Sequence, residues 1–222
     1  MKKILTSIAV VLFVAQMVSA QSFSFGAKVV PIFGWSNVTD TDTFNFTNDG
    51  IKSGIGIGPA LKINMGDNFN TEVGVLFTWQ GSKFSQTKDT LFSYGYDIKR
   101  QYMQIPVSFN ASFDVASSTR VVMSFGGTPA IQLSSVADIS DNNDDTSLQT
   151  DFDIPGTFFN LYLMAGLGAS IELTDGVKFV PVVKYNHGVI DSWYDGDDNA
   201  YVKYLTEKNH FISLDLGLFI DF

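Results

Sequence analysis

The 222-residue chain contains 45% hydrophobic residues, 14 basic and 23 acidic residues, and no cysteine. Its formal charge of −9 argues against nucleic acid as a partner, because the phosphate backbone is bound by clusters of lysine and arginine. The absence of cysteine excludes both a disulfide framework and a lipid-modified cysteine as a membrane anchor. No shift in composition marks a second domain, so the length indicates a single one.

The beginning of the chain has the layout of a secretory signal peptide. Lys2 and Lys3 precede a largely apolar run over residues 4–14, and small residues end the segment. This run is shorter than the roughly 20 apolar residues that a spanning helix needs, and no other stretch approaches that length. We therefore predict a signal peptide over residues 1–20. The exported domain, residues 21–222, then has a formal charge of −11, since removing two lysines leaves 12 basic against 23 acidic residues.

Apolar side chains occupy every second position through most of the exported chain. The final stretch, HFISLDLGLFIDF, places Ile, Leu and Phe on one face and Ser213, Asp215 and Asp221 on the other, with Phe211 and Phe219 as exceptions. Successive side chains of a β-strand point to opposite faces, so this alternation predicts a strand with one apolar face. Eight segments follow the pattern. They span about residues 22–36, 51–65, 70–80, 98–113, 120–133, 158–173, 177–190 and 210–222.

Short and long connections between these segments alternate along the chain. The short ones, most of which carry turn-forming residues, are 66–68, 115–119 and 174–176. The long polar ones are 37–50, 81–97, 135–155 and 191–209. This combination predicts an all-β fold, an eight-stranded antiparallel up-and-down transmembrane β-barrel in the outer membrane of a Gram-negative bacterium. Both termini are expected on the periplasmic side with the short turns, and the long loops outside the cell.

A lipocalin-like carrier of a small apolar ligand is the soluble alternative, because it also has eight strands and a signal peptide. In such a barrel the apolar face points inward and the charged strand residues meet water. A membrane barrel turns the apolar face to lipid instead. The pattern favours the membrane barrel, because the polar face carries many glycines and eight strands leave room inside only for side chains.

The charged residues of the polar face lie inside a membrane barrel. They cannot stay unpaired there, because an isolated buried charge costs several kcal/mol or more. We therefore expect a hydrogen-bonded ionic network and no open pore. Its expected members are Lys28, Lys62, Glu72, Arg120, Glu172, Lys184 and Asp215.

The chain has two histidines, His187 and His210, and both fall near the outer ends of neighbouring predicted strands. Small outer-membrane enzymes use His with Ser or Asp at the barrel rim, and Asp191 and Ser192 follow His187. A rim-active lipid-modifying enzyme is therefore a second alternative. Spacing alone does not specify a triad, and the pattern favours two unrelated rim or interface histidines.

Acidic residues cluster in the last two long loops, within residues 141–153 and 195–198. Clustered carboxylates can hold calcium, but the spacing does not match an EF-hand loop, which also requires a glycine and a distant Glu. The pattern favours solvated acidic loops. We predict no catalytic residue, no cofactor and no metal site.

Residues 102–107, YMQIPV, resemble a strand motif of the PorT-like outer-membrane β-barrel family of Bacteroidota, which has tyrosine or leucine, two variable residues, and then Ile-Pro-Leu or Ile-Pro-Val. The glycine-alternating strand at Gly54, Gly56 and Gly58 and the MAGLG stretch over residues 164–168 are similar to the same family. The resemblance covers essentially the whole exported chain. It implies an integral outer-membrane barrel, some relatives of which take part in protein secretion and gliding machinery.

The chain ends on Phe222, preceded by Ile220 and Leu218, and this ending resembles the C-terminal signal that the outer-membrane assembly machinery recognises. The predicted partners are outer-membrane lipids, this assembly machinery and an envelope or secretion protein, with no nucleic acid. The predicted function is that of a non-enzymatic envelope component, or an accessory of a secretion or surface complex, that acts through extracellular loops.

Overall fold

The computed structural model describes residues 22–38, 45–89, 92–141, 146–153, 157–190, 192–194 and 205–222. The predicted signal peptide lies outside these residues. Within them, no helix has the length and apolar character needed to cross a bilayer. The strands are β1 (Ser22–Val38), β2 (Asn45–Asn48), β3 (Lys52–Asn64), β4 (Phe69–Gly74), β5 (Leu76–Asp89), β6 (Phe92–Gln104), β7 (Val107–Ala116), β8 (Thr119–Asp141), β9 (Thr146–Asp153), β10 (Phe159–Thr174), β11 (Val177–Gly188), β12 (Ser192–Tyr194) and β13 (Leu205–Asp221).

The strands pair into one closed ring. β1 lies between β13 and β3, and β3 pairs with both β4 and β5. β4 pairs with β7 and β5 with β6, while β6 and β7 both pair with β8. The ring then runs through β10 and β11 back to β13. Since β4 continues into β5 and β6 into β7, the wall has eight strands, each antiparallel to both neighbours, as predicted. A closed ring pairs its backbone groups without leaving an edge.

Prolines divide two of the wall strands by interrupting the ladder of hydrogen bonds. Pro106 separates β6 from β7, and it has no N–H to donate. Its carbonyl still accepts a hydrogen bond from the Gly74 N–H at 3.0 Å, where β4 ends. The Pro59 carbonyl likewise accepts the N–H of Val75 at 3.0 Å. The neighbouring strands therefore stay connected where regular pairing is lost.

The outward face of the wall is apolar and the inward face holds the charges. Exposed outward residues include Phe25, Ile57, Phe77, Phe125, Leu167, Val183 and Leu218. Buried inward residues include Lys28, Lys62, Glu72, Lys184 and Asp215. This is the reverse of a lipocalin-like barrel, so that alternative is wrong. The two exceptions in the last strand, Phe211 and Phe219, are only 4% and 1% exposed.

Glycines on the inward face allow neighbouring strands to approach closely. A Cβ atom at Gly58 would lie 1.9 Å from the carbonyl oxygen of Val75, and one at Gly54 would lie 2.3 Å from that of Trp79. No larger residue fits either position without movement of the backbone. The spacing of glycines that the sequence shows in β3 is thus required by the path of β3 past β4 and β5.

The two ends of the barrel differ. At the turn end, short connections join β3 to β4, β7 to β8 and β10 to β11, and Gly66 and Gly176 adopt the positive φ that two of these turns require. At the opposite end β5, β6 and β8 continue well past the outward aromatic Trp79, and β2 and β9 pair with them. We call these parts of β2, β5, β6, β8 and β9 the extension.

The extension corrects the prediction that residues 81–97 and 135–155 are loops. It has a hydrophobic core of its own, consisting of Phe84, Tyr96, Ile98, Ala137 and Ile139. Phe84 and Tyr96 are stacked across β5 and β6 with ring centroids 5.1 Å apart. Strands in the extension are therefore stabilised by packing inside it, as well as by continuation of the ladder from the barrel wall.

Candidate functional site

An ionic network fills the interior on the turn side of the barrel. The ammonium of Lys28 lies 2.7 Å from a carboxylate oxygen of Glu72 and 2.7 Å from one of Asp215. Asp215 also accepts from Lys184 at 2.9 Å, and Lys62 lies 3.7 Å from Glu72. We call these five residues the lysine cluster. It confirms the expected network, with three ammonium groups sharing two carboxylates.

Further contacts hold the lysine cluster in place. Ser213 donates a hydrogen bond to Asp215 at 2.9 Å, and the ammonium of Lys62 lies 3.6 Å from the ring centroid of Phe219. A cation over an aromatic face is attracted by the ring quadrupole, which explains a phenylalanine on the otherwise polar face of β13. The cavity among these side chains has a volume of about 30 Å³, room for about two water molecules.

A layer of apolar and aromatic side chains closes the lumen beyond the lysine cluster. We call this layer the septum, and its members are Val30, Ile32, Leu76, Tyr102, Ala130, Tyr162 and Phe211. Tyr162 and Phe211 meet edge to face with ring centroids 5.0 Å apart. Tyr102 and Tyr162 are 1% and 0% exposed. The septum therefore separates the two ends of the barrel with close-packed side chains.

A second charged cluster lies on the other side of the septum. Arg100 and Glu207 form a two-pronged ion pair, in which one guanidinium N–H donates to a carboxylate oxygen at 3.1 Å. Ser82 donates to Glu207 at 2.8 Å, and the carbonyl oxygen of the Asn209 side chain accepts from Arg100 at 3.2 Å and from Ser36 at 2.7 Å. We call these five residues the arginine cluster. Two parallel hydrogen bonds between a guanidinium and a carboxylate satisfy both buried charges.

The sequence analysis missed the arginine cluster, although the alternation contains a signal for it. Arg100 shares the inward parity of Tyr102 on β6, and Glu207 shares that of Phe211 on β13. Arg100 lies within the predicted segment 98–113, and continuing the last segment by a few residues toward the N-terminus places Glu207 inside as well. Glu207 lies in the connection 191–209, which the composition predicts to be a loop.

Two expected members of the interior network lie elsewhere. Arg120 pairs with Asp114 at 2.7 Å and donates to the side chain of Asn68 at 2.8 Å, near the turns. Glu172 is exposed at the end of β10. Both predictions are wrong for the same reason: the alternation gives the face of a residue but not its position along the barrel axis.

The two histidines meet on the outward face, across β11 and β13. His187 and His210 are directly opposite each other in the strand register, and their ring centroids are 4.7 Å apart. Trp35 lies 6.2 Å from His210 and 6.2 Å from Tyr185, centroid to centroid. We call these four residues the histidine cluster. The two histidines lie on neighbouring strands, as predicted, but the prediction that they are unrelated is wrong because their rings are in contact. Asp191 and the side chain of Ser192 fall outside the described residues.

A groove of about 580 Å³ lies on the outer surface where the extension meets the barrel wall. Apolar side chains of Ile55, Trp79 and Val136 line it together with Lys52 and Lys99. It lies where the register between β6 and β8 shifts and the pairing of β3 with β5 ends. A change of register makes the wall locally concave.

Charged side chains on the extension form exposed ion pairs. Lys99 donates a hydrogen bond to Asp138 at 2.7 Å, and Lys83 lies 3.3 Å from Asp97. The hydrogen bond from Lys99 lowers the pKa of Asp138, and the same bond raises the pKa of Lys99. The described surface of the extension thus combines an apolar groove with nearby charges of both signs. Most carboxylates of the predicted acidic loops lie outside the described residues.

Comparisons with known proteins agree with this architecture. The family model described as "Outer membrane protein beta-barrel domain" matches residues 6–217. The structure of OprG from Pseudomonas aeruginosa is similar, with 12% identity over 91% of this chain and 96% of that chain and a TM-score of 0.61. At this identity the likeness shows the fold alone.

Two further structures are less similar. Neisserial surface protein A has 14% identity over 90% of this chain and 97% of that chain, with a TM-score of 0.48. The outer membrane protease OmpT from Escherichia coli has 8% identity over 92% of this chain and 98% of that chain, with a TM-score of 0.40. Neither likeness carries an argument about this chain. Among proteins of curated function, none matches the chain in sequence.

The match to the family model extends over almost the whole chain, and the closed ring with its apolar outer face agrees with it. This places the protein in the outer membrane, while the narrower resemblance to PorT-like proteins stays a prediction. The chain belongs to the family of outer membrane protein β-barrel domains.

Proposed function

We propose that the chain is a non-enzymatic outer-membrane protein that works through its extension, as an envelope component or an accessory of a secretion or surface complex. The observation that carries this proposal is the septum, with a charged cluster on each side of it. A solute crossing the lumen would have to displace packed aromatic rings and separate buried ion pairs. The barrel is therefore better suited to anchoring than to conduction.

The extension supports the proposal that the protein works by binding a partner. Its strands carry a core of their own, and its outer surface has the apolar groove beside Lys52 and Lys99. A rigid sheet held beyond the lipid-facing wall presents a fixed surface to a partner, and binding sites are commonly built on elements that a rigid scaffold positions. The partner we propose is an envelope or secretion protein.

The histidine cluster favours binding over catalysis. Apart from each other, the described rings near His187 and His210 are those of Tyr185 and Trp35. A hydrolytic site needs a nucleophile within hydrogen-bond reach of the base, and the described hydroxyl beside the two rings, that of Tyr185, lies 3.4 Å from the Nδ1 of His187, beyond that reach. We therefore prefer the non-enzymatic function to a rim-active enzyme.

The absence of cysteine from the chain allows a sharp test of orientation. Lys99→Cys introduces a thiol on the extension, and Asp114→Cys introduces one near the turn end, where the side chain of Asp114 is 75% exposed. We expect a membrane-impermeant maleimide to label the first variant in intact cells and the second only after the outer membrane is permeabilised. The opposite pattern would contradict an extracellular extension.

The same pair of variants tests partner binding. A thiol-reactive cross-linker on Lys99→Cys is expected to capture one recurring envelope protein in near-stoichiometric yield, while Asp114→Cys captures none. Recovery of the barrel alone from both variants, or equal capture by both, would contradict action through the extension.

In planar bilayers the purified barrel should form no stable channel, and a reproducible conductance would refute the closed lumen.

A further inference from the structure

The only two histidines of the chain face each other across two neighbouring strands. His187 on β11 and His210 on β13 are register partners, and both lie on the outward face, like Tyr185 and Ile212 of the adjacent pair. Side chains directly opposite in an antiparallel pair have Cβ atoms about 4.5–5.5 Å apart. The two rings here have centroids 4.7 Å apart and planes inclined by 35°. This arrangement brings two imidazoles close enough to share one ligand.

The nitrogen atoms of the pair are poorly satisfied by the described part of the chain. His210 is 4% exposed, and its Nδ1 is buried without a hydrogen-bond partner there. The Nδ1 of His187 lies 3.4 Å from the hydroxyl oxygen of Tyr185, which is long for a hydrogen bond. A buried nitrogen without a partner destabilises a fold, so its presence points to a missing ligand.

We propose that His187 and His210 chelate one divalent transition-metal ion of the copper, nickel and zinc class. Neutral imidazole is the side chain that these ions favour, whereas calcium and magnesium require oxygen ligands. The described residues contain no group of three or more His, Cys, Asp or Glu side chains that could hold a metal ion. The site therefore supplies two nitrogen ligands, and water completes the coordination.

The residues around the histidine pair determine how the ion reaches it and how tightly it binds. His187 is exposed, so the ion reaches the pair from outside the barrel. Besides His187, Lys208 acts electrostatically on His210, and its positive charge opposes cation binding. The aromatic rings of Trp35 and Tyr185 flank the imidazoles and limit their rotation. A moderate affinity that follows the order copper above nickel and zinc is the expected result.

The experiment measures Cu²⁺ binding to the detergent-solubilised, untagged barrel by electron paramagnetic resonance and equilibrium dialysis. We expect one ion per chain, with hyperfine splitting from more than one nitrogen. His187→Gln should weaken the binding by at least the ~10–100-fold that loss of even an outer-shell partner costs, and His187→Gln with His210→Gln should abolish it. Asp114→Asn, at an exposed carboxylate near the turn end, leaves the histidine cluster intact and serves as the control.

Folding of each variant is checked by its heat-dependent gel shift. If His210→Gln fails to fold, the exposed His187→Gln still decides the question. Binding that is unchanged in His187→Gln assigns the ion to the acidic loops or the terminus and overturns the proposal. Absence of stoichiometric binding in the unaltered protein also overturns it. Because the readout is metal binding, the result is independent of whether the extension binds a partner.

Discussion

Replacing Asp215 by Asn tests whether the lysine cluster stabilises the barrel. Asp215 accepts hydrogen bonds from Lys28 at 2.7 Å, from Lys184 at 2.9 Å and from Ser213 at 2.9 Å. In Asp215→Asn, three buried ammonium groups share the single carboxylate of Glu72. Removing one partner of a buried ion pair costs about 3–5 kcal/mol, because the remaining charge stays buried without compensation. We expect a loss of this size in the free energy of unfolding.

The assay is equilibrium urea unfolding of the barrel in lipid vesicles, followed by tryptophan fluorescence. Asp114→Asn is the matched control, because it also breaks an ion pair of 2.7 Å, but at a carboxylate that is 75% exposed. Exposed pairs contribute about 0–1 kcal/mol. Adding Lys184→Met to Asp215→Asn should restore part of the loss, since it removes one uncompensated charge. A cost for Asp215→Asn no larger than that of the control would refute the reasoning.

Two further predictions concern the wall and the arginine cluster. Gly58→Ala should destabilise the barrel by about 1–3 kcal/mol in the same unfolding assay, because its Cβ would meet a backbone carbonyl at 1.9 Å. Gly127→Ala, whose Cβ would lie 3.5 Å from its nearest neighbour, is the control and should change stability by less than about 0.5 kcal/mol. Arg100→Met should lower the free energy of unfolding by about 3–5 kcal/mol, because it leaves the buried carboxylate of Glu207 without its charged partner. Arg100→Met with Glu207→Gln should cost less than Arg100→Met alone, and equal losses would show that the two groups are not coupled.

The alternation of side chains predicted the faces of the wall because period two is a direct property of strand geometry. In β13 it placed Ser213 and Asp215 on one face and Ile212 and Leu218 on the other, and the structure has them inside and outside, respectively. Phe211 and Phe219 were exceptions to the pattern. The alternation also places them inside, but their contacts with Tyr162 and Lys62, which explain aromatic rings there, come from distant strands and cannot be read from the local sequence.

The partners within the interior network could not be predicted for the same reason. Lys28 and Asp215 are separated by 187 residues, and they meet only because the ring closes between β1 and β13. Arg120 has the correct parity for the interior but lies too close to the turns. The lengths of β5, β6 and β8 were underestimated, because the strands of the extension mix polar and apolar residues on both faces and resemble loops in composition.

The hydrogen bond between Lys28 and Asp215 crosses the seam where the first and last wall strands meet. Without β13, Lys28 and Lys184 lack their shared carboxylate, and Glu72 is the remaining carboxylate of the lysine cluster. Docking of the last strand is therefore expected to lower the formal charge of the lysine cluster from +2 to +1, because it adds the carboxylate of Asp215 to three ammonium groups and one carboxylate. We expect the lysine cluster to favour closure of the ring during assembly. We expect Asp215→Asn to acquire strand content at the normal rate during refolding into vesicles, and to acquire the heat-dependent gel shift of the closed barrel more slowly.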